Sequence, residues 1–227
     1  MKNNISLKGP SILTNKKPQK LVILFHGYGD NADNFISVVQ ELHDPESSIN
    51  YFAPNAPSSV PQYPLGYQWF ELYPNGINFN EAGPEEKKLM KDDCMSSLKL
   101  IKDYIINLCK SNNLNFEDCF IIGFSQGAMI AYEFGKYLDK KLAGCCLLSG
   151  RILPSNDHKR ENFKKTPILL IHGDQDNILE PKYYFEALKI LKNEGYLFEK
   201  YLLEGEGHTI SFRMIQLIKN FIKKTMT

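Results

Sequence analysis

No stretch of this 227-residue sequence approaches the roughly 18 to 20 consecutive apolar residues that a membrane span requires. The amino terminus, Met1-Lys2-Asn3-Asn4-Ile5-Ser6, also lacks the apolar core of a secretory signal. Neither sign of charge is in excess. With 27 basic and 26 acidic side chains the formal net charge is +1, which gives no electrostatic reason to expect nucleic acid or an anionic membrane as partner, and no stable membrane insertion is expected. The lysines at Lys16, Lys17, Lys20, Lys223 and Lys224 read as solvated surface. Cysteine is sparse and odd in number, five in all. Cys145 and Cys146 are adjacent in an apolar, strand-like run, so they point to opposite faces and are poorly placed to bond each other. All five are expected to be reduced thiols in a cytoplasmic protein. No C-x-x-C and no histidine pair at ligand spacing is present, so no metal is expected. Without G-x-G-x-x-G or G-K-[ST] the chain also has no recognisable phosphate cradle. Internal repeats, low-complexity tracts and linkers are all lacking, which predicts a single domain over residues 1–227.

What is present is ordinary globular composition, 43% hydrophobic and 23% charged, in a chain long enough for a substantial core. Lys20 to Phe25, Ile49 to Ala53, Cys119 to Ile122, Leu142 to Gly150, Pro167 to Ile171 and Tyr196 to Leu203 read as strands. A short edge strand or hairpin is expected within Ile5 to Thr14. Helices are expected over Asn34–Leu42, Pro84–Asn112, the segment after Ser125, Pro181–Glu194 and Ile210–Lys224. In the longest, Cys94, Leu98, Ile101, Ile105 and Leu108 recur at spacings of three and four, a core-facing stripe. Pro54 to Pro74 reads as irregular, and Arg151 to Lys165 as a polar loop. Apolar strands alternating with helices predict an α/β fold with a mostly parallel sheet covered on both faces.

One pentapeptide organises this pattern: Gly123-Phe124-Ser125-Gln126-Gly127, between an apolar strand and a helix. A serine at such a turn, flanked by glycines, matches a nucleophile elbow, where a strained backbone exposes Oγ and the glycines allow close passage of neighbouring chain. The ordinary alternative is a serine that caps the helix. Ligands on such sheets sit beyond the carboxyl ends of the strands. Polar clusters fall there at His26 to Asp30, at Ser125, at Asp174 to Asp176 and at Gly205-Glu206-Gly207-His208.

Acyl transfer by serine needs a base for the Oγ proton and a carboxylate to hold the imidazole in the useful tautomer. On this fold they follow in the order serine, acid, histidine. Of His26, His43, His158, His172 and His208, only His208 lies beyond a strand-end carboxylate that itself lies beyond Ser125. Asp174 and Asp176 both stand just past a strand, and spacing does not separate them. One of them can instead satisfy turn amides or cap the following helix. His26-Gly27-Tyr28-Gly29 resembles the loop that donates one oxyanion-hole amide, the second coming from the residue after the nucleophile. That assigns the backbone N–H groups of Tyr28 and Gln126.

HGYGD, GYQWF, GFSQG, HGDQD and GEGH, in this order, resemble the carboxylesterase and acyl-protein thioesterase (phospholipase/carboxylesterase) family of α/β-hydrolases, from about Lys20 onward. The resemblance implies Ser125 as nucleophile, His208 as base, Asp176 as acid, and Tyr28 and Gln126 as oxyanion donors. It also implies that Trp69 lies near the acyl pocket, where an indole offers a broad apolar wall and one N–H. Two departures are visible: Ala128 where eukaryotic thioesterases usually have a second glycine, and Glu180 where the family's proline is expected, with Pro181 one later. The Tyr67-Gln68-Trp69-Phe70 stretch looks closer to bacterial small-ester carboxylesterases than to depalmitoylating enzymes.

The expected activity is a serine carboxylesterase acting on short- to medium-chain carboxylic esters, with a small-molecule ester or acylated substrate as partner and no cofactor. The alternatives are an acyl-protein thioesterase or lysophospholipase, and a non-catalytic binding protein on the same fold. A peptidase of this fold usually carries a cap or propeller domain that 227 residues do not accommodate.

Overall fold

The computed structural model describes residues 6–78, 81–152 and 161–226. In chain order the strands are β1 Ser11–Ile12, β2 Lys20–Phe25, β3 Ile49–Phe52, β4 Ser58–Val60, β5 Tyr63–Gln68, β6 Cys119–Phe124, β7 Gly144–Leu148, β8 Ile168–Gly173 and β9 Phe198–Leu203. The helices are α1 Ala32–Phe35, α2 Val39–Leu42, α3 Pro84–Asn112, α4 Gln126–Leu138, α5 Lys182–Glu194 and α6 Phe212–Met226. Seven strands form one sheet in the order β1-β3-β2-β6-β7-β8-β9. All neighbours are parallel except β1, which pairs antiparallel with β3.

Successive residues of the central strands serve opposite cores, as the strand period of two requires. In β2, Leu21, Ile23 and Phe25 pack with α3, α4 and α5, whereas Val22 and Leu24 pack with α1, α2 and α6. β6, β7 and β8 divide in the same way. These strands are covered on both faces, which is why they read as unbroken apolar runs. Each fully buried Leu, Ile or Phe contributes about 1.5 to 3 kcal/mol. Cys145 and Cys146 fall in different cores, and all five cysteines are free and buried. The closest pair is Cys109 and Cys119, with Sγ atoms 3.5 Å apart.

α3 begins after Gly83 with Pro84 at its first position and ends at Asn113, whose left-handed backbone (φ 55°) terminates it. Three expectations need correction or limits. The helix expected over 34–42 is broken into α1, a 3-10 turn at Ile36–Val38, and α2. β-branched Ile36, Val38 and Val39 crowd there, and Ser37 Oγ donates to Asn34 O at 2.7 Å, which competes with helical pairing. The segment expected to be irregular forms an antiparallel hairpin, β4–β5. Its register shifts between Ser59 and Val60, and the shift leaves Pro64 outside the paired positions. Ile5, His158 and residues 153–160 of the expected polar loop lie outside the described residues.

Candidate active site

β6, α4 and the loops after β2, β8 and β9 converge at the carboxyl end of the sheet. Ser125 joins β6 to α4 with φ 55° and ψ −118°, a conformation costly for a residue with a Cβ. It is held from both sides: its N–H donates to Leu148 O at 2.9 Å, and its carbonyl accepts from Ala128 N at 3.0 Å and Met129 N at 3.2 Å. The flanking glycines are needed sterically. A Cβ on Gly123 would run into the Gly127 carbonyl, and one on Gly127 into that of Phe25. The Ser125 side chain makes no capping hydrogen bond to α4. Instead Ser125 Oγ lies 3.0 Å from His208 Nε2.

His208 Nδ1 lies 2.7 Å from Asp176 Oδ2. The carboxylate must accept from Nδ1–H, so Nε2 is left to accept from Ser125 Oγ–H. The imidazole rests on Phe124 with ring centroids 4.8 Å apart. Asp176 is buried, and its other oxygen accepts from Ile178 N at 3.0 Å and Leu179 N at 2.8 Å. Burial alone would raise its pKa. The hydrogen bond from His208 and those from Leu179 and Ile178 outweigh burial and hold the carboxyl below its ordinary value.

The two aspartates are thereby separated. His208 pairs with Asp176, whereas Asp174 accepts from Gly205 N through Oδ1 at 2.7 Å. Asp174 N to Leu203 O (3.0 Å) and Gln175 N to Glu206 O (2.9 Å) add to this stitching of the β9 loop. Asp174 therefore fixes the loop that carries His208, while Asp176 contacts the imidazole.

The backbone N–H groups of Tyr28 and Gln126 donate no hydrogen bond among the described residues. Gln126 is the first residue of α4, where an N–H has no intrahelical partner. The Tyr28 loop sits against Ser125, since a Cβ on Gly27 would lie 3.4 Å from the serine Cβ. The loop is braced by Gly29 N to Tyr67 O at 2.9 Å and Tyr67 N to Asp30 O at 2.8 Å.

Trp69 departs from the expected placement. It has no exposed surface: its ring lies 4.9 Å from that of Phe25 and 5.3 Å from that of His26. Its indole N–H donates to His26 O at 2.9 Å, and its carbonyl accepts from Ser97 Oγ. The indole thus belongs to the core behind the Tyr28 loop, because neighbours cover its faces and its N–H is satisfied inside. Among the exposed apolar side chains, Tyr63 and Leu65 lie on β5, Tyr73 on the loop after it, and Ile178 on the turn that carries Asp176. Tyr28 packs edge-on against Tyr63 and Tyr73, at 6.3 and 6.0 Å.

Three contributions escape sequence reasoning. The Gln126 side chain is buried, accepting from Trp69 N at 2.9 Å and donating to Phe70 O at 2.7 Å, so it ties α4 to the 69–70 segment. His26 is fully buried and bridges two segments. Its Nδ1–H donates to Gly27 O at 2.8 Å, and Nε2 accepts from Ala56 N at 3.0 Å. Nε2 accepts and so carries no proton, which makes the imidazole neutral, and burial lowers its pKa against raising effects from the Gly27 carbonyl and Asp30. His172, also buried, lies beneath the turn that carries Asp176. The only sequence signal for these histidines is their position at the ends of apolar strands. Among the described residues no three His, Cys, Asp or Glu side chains are grouped so as to hold a metal ion, and no helix is long and apolar enough to cross a membrane.

Comparison with known proteins places this geometry in a lineage. Residues 10–226 match the family model for Phospholipase/Carboxylesterase. Acyl-protein thioesterase 1 of Candida albicans is 30% identical over 224 residues, covering 89% of this chain and 92% of that one. Acyl-protein thioesterase 1 homolog 1 of Dictyostelium discoideum is 29% identical over 211 residues, covering 90% of each. The crystal structure of esterase PE8 superposes with a TM-score of 0.85 at 28% identity, covering 97% of this chain and 100% of that one. The chain belongs to the phospholipase/carboxylesterase family of α/β-hydrolases, and it is a serine hydrolase of ester bonds.

Proposed function

We propose that this protein hydrolyses short- to medium-chain carboxylic esters through an acyl-enzyme on Ser125. The observation that carries the reading is the continuous relay Ser125 Oγ–His208 Nε2 (3.0 Å) and His208 Nδ1–Asp176 Oδ2 (2.7 Å), built on a strained elbow. His208 Nε2 takes the Oγ proton as Oγ attacks the acyl carbon. The carbonyl oxygen gains charge opposite the N–H groups of Tyr28 and Gln126, each worth about 3 to 4 kcal/mol in such a role. His208 then delivers the proton to the leaving oxygen, and water repeats the sequence to release the acid. Asp176 keeps the imidazole in the tautomer that can accept.

Exposed apolar surface is supplied by Tyr63 and Tyr73, which pack on Tyr28, and by Ile178 beside Asp176. A methylene laid on it gains only part of the ~0.8 kcal/mol of full burial, so selectivity for chain length should be graded. A second reading, acyl-protein thioesterase, is favoured by the Candida and Dictyostelium relatives, both named as acyl-protein thioesterases. The same relay accepts a thioester, whose thiolate leaves more readily than an alkoxide. Initial rates on p-nitrophenyl esters from acetate to palmitate, beside an S-acylated peptide series, separate the two. A maximum at a medium chain with weak thioester turnover supports the first reading. A maximum at palmitate on S-acyl peptide replaces it with the second.

A further inference from the structure

His172 is the buried ionisable group closest to the relay that the proposed chemistry does not use. It sits four residues before Asp176, near the end of β8, with no exposed surface. Its Nε2 is 2.7 Å from Leu179 O and 3.4 Å from Asp176 Oδ2. Its Nδ1 has no hydrogen-bond partner among the described residues. We propose that His172 is a positioning residue for the acid: its Nε2–H holds the Leu179 carbonyl and so fixes the turn whose N–H groups bind Asp176 Oδ1, leaving Oδ2 aimed at His208.

The connections form a closed ring. Nε2–H of His172 fixes Leu179 through its carbonyl, and Leu179 returns its N–H to Asp176 Oδ1 at 2.8 Å, beside that of Ile178 at 3.0 Å. A carboxylate clamped at one oxygen has one free direction for the other. Without the clamp, rotation about the Cβ–Cγ bond would trade the two oxygens and weaken the hold on His208. Both oxygens already face donors, so the carbonyl is the better acceptor for the Nε2–H of His172, as the shorter distance records.

The tautomer follows from the same geometry. Nε2 carries the hydrogen because Leu179 O can only accept, and Nδ1 then holds a lone pair in a buried site. A second proton on Nδ1 would have no acceptor. Burial lowers the pKa of His172, against raising effects from the Leu179 carbonyl and Asp176, and His208 lowers it further. The groups that face the ring are Asp176, His208 beyond it, and Tyr184, whose ring centroid is 6.2 Å away. None of them favours a cation strongly enough to reverse burial. A neutral His172 leaves the charge of Asp176 entirely to His208. Leucine or phenylalanine would fill the same volume without burying an unpartnered nitrogen. What the imidazole adds is the Nε2–H donor.

This inference rests on the reading of Ser125, Asp176 and His208 as a catalytic relay. The test compares His172→Leu, which removes the donor, with His172→Gln, whose Nε2–H reaches about as far, and His172→Asn, whose amide falls short at the place of Nδ1. Each is assayed for kcat and KM on p-nitrophenyl butyrate, for the acid limb of the kcat/KM profile, and for its thermal midpoint. Leu and Asn are expected to lower kcat by about 10- to 100-fold with KM changed less than about twofold, and to move the acid limb to lower pH as the imidazolium loses support. Gln is expected to recover most of kcat and the original limb. If Leu does not fold, the Gln–Asn comparison decides the matter alone. Equal activity in Gln and Asn, or losses that follow the thermal midpoint with an unmoved acid limb, overturns the proposal. Covalent labelling of Ser125 by a fluorophosphonate in the parent protein is measured in parallel. Labelled parent with a silent His172→Leu refutes the positioning role alone, whereas an unlabelled parent refutes the relay itself.

Discussion

Replacing Asp176 by asparagine tests the relay more finely than deleting it. The Ile178 and Leu179 N–H groups require an acceptor at the Oδ1 position, at 3.0 and 2.8 Å. An asparagine amide meets that demand only with its carbonyl oxygen there, which places its NH2 opposite His208 Nδ1. The flipped amide would face two backbone donors with a donor, and each unsatisfied buried N–H costs about 1 to 3 kcal/mol. The first orientation should therefore dominate by about 2 to 6 kcal/mol. In that orientation Nδ1 of His208 must accept, so Nε2 carries the hydrogen and points it at Ser125 Oγ. The base is lost while the fold stays intact. Trapping the wrong tautomer in this way costs about four decades of turnover in serine proteases, or about 5.4 kcal/mol of barrier. Steady-state kcat on p-nitrophenyl butyrate should fall accordingly, with a thermal midpoint close to the parent. Asp174→Asn keeps an acceptor for Gly205 N and should change kcat by no more than about two- to threefold. A larger loss in Asp174→Asn than in Asp176→Asn, or Asp176→Asn within tenfold of the parent, would refute the reasoning.

Two other outcomes follow from burial. Trp69→Ala should destabilise the protein by about 3 to 5 kcal/mol in urea unfolding, as expected for a large core side chain. Where the variant remains folded, its acyl-chain profile should keep its optimum. A profile moved to longer chains with an unchanged unfolding midpoint would return the indole to the acyl wall. The neutral buried imidazoles of His26 and His172 have pKa values below that of an unfolded histidine, near 6.5. Below about pH 6.5 the unfolded chain therefore binds more protons, so stability is full above that pH and declines as pH falls towards the lowered folded values. Each group contributes a slope of at most about 1.4 kcal/mol per pH unit. Asp176, with its folded pKa depressed, contributes stability above its unfolded value near 3.9 that is lost as pH falls through the folded one. Urea midpoints at pH 7.5, 6.5 and 5.5 should drop in that order, and a midpoint that rises on acidification contradicts the assignment.

Much of the scaffold is legible in the sequence because of how it is buried. β2, β6, β7 and β8 are covered on both faces and appear as unbroken apolar runs. Both ends of α3 are written in Gly83-Pro84 and Asn113. The β4–β5 hairpin is hidden by prolines that occupy unpaired positions, and the broken first helix by apolar spacing that survives the break. Ser125 and His208 are legible because glycines and strand ends mark them. Asp174 and Asp176 share one turn, and only the direction of the Gly205, Ile178 and Leu179 N–H groups tells them apart. Trp69 shows the remaining difficulty: whether an aromatic lines a pocket or backs it depends on neighbours distant in sequence, here Phe25, His26 and Ser97. The partners of His26 and His172 are backbone groups that no spacing rule marks.

The central claim is that Ser125 is the nucleophile. The most direct measurement is intact-protein and peptide mass spectrometry after treatment with a fluorophosphonate, run on the parent and on Ser125→Ala with turnover measured on both. The account predicts one adduct per chain, on Ser125, no adduct on the alanine variant, and a loss of about four to six decades in kcat. An adduct that persists in Ser125→Ala, or turnover within a few fold of the parent, would contradict it.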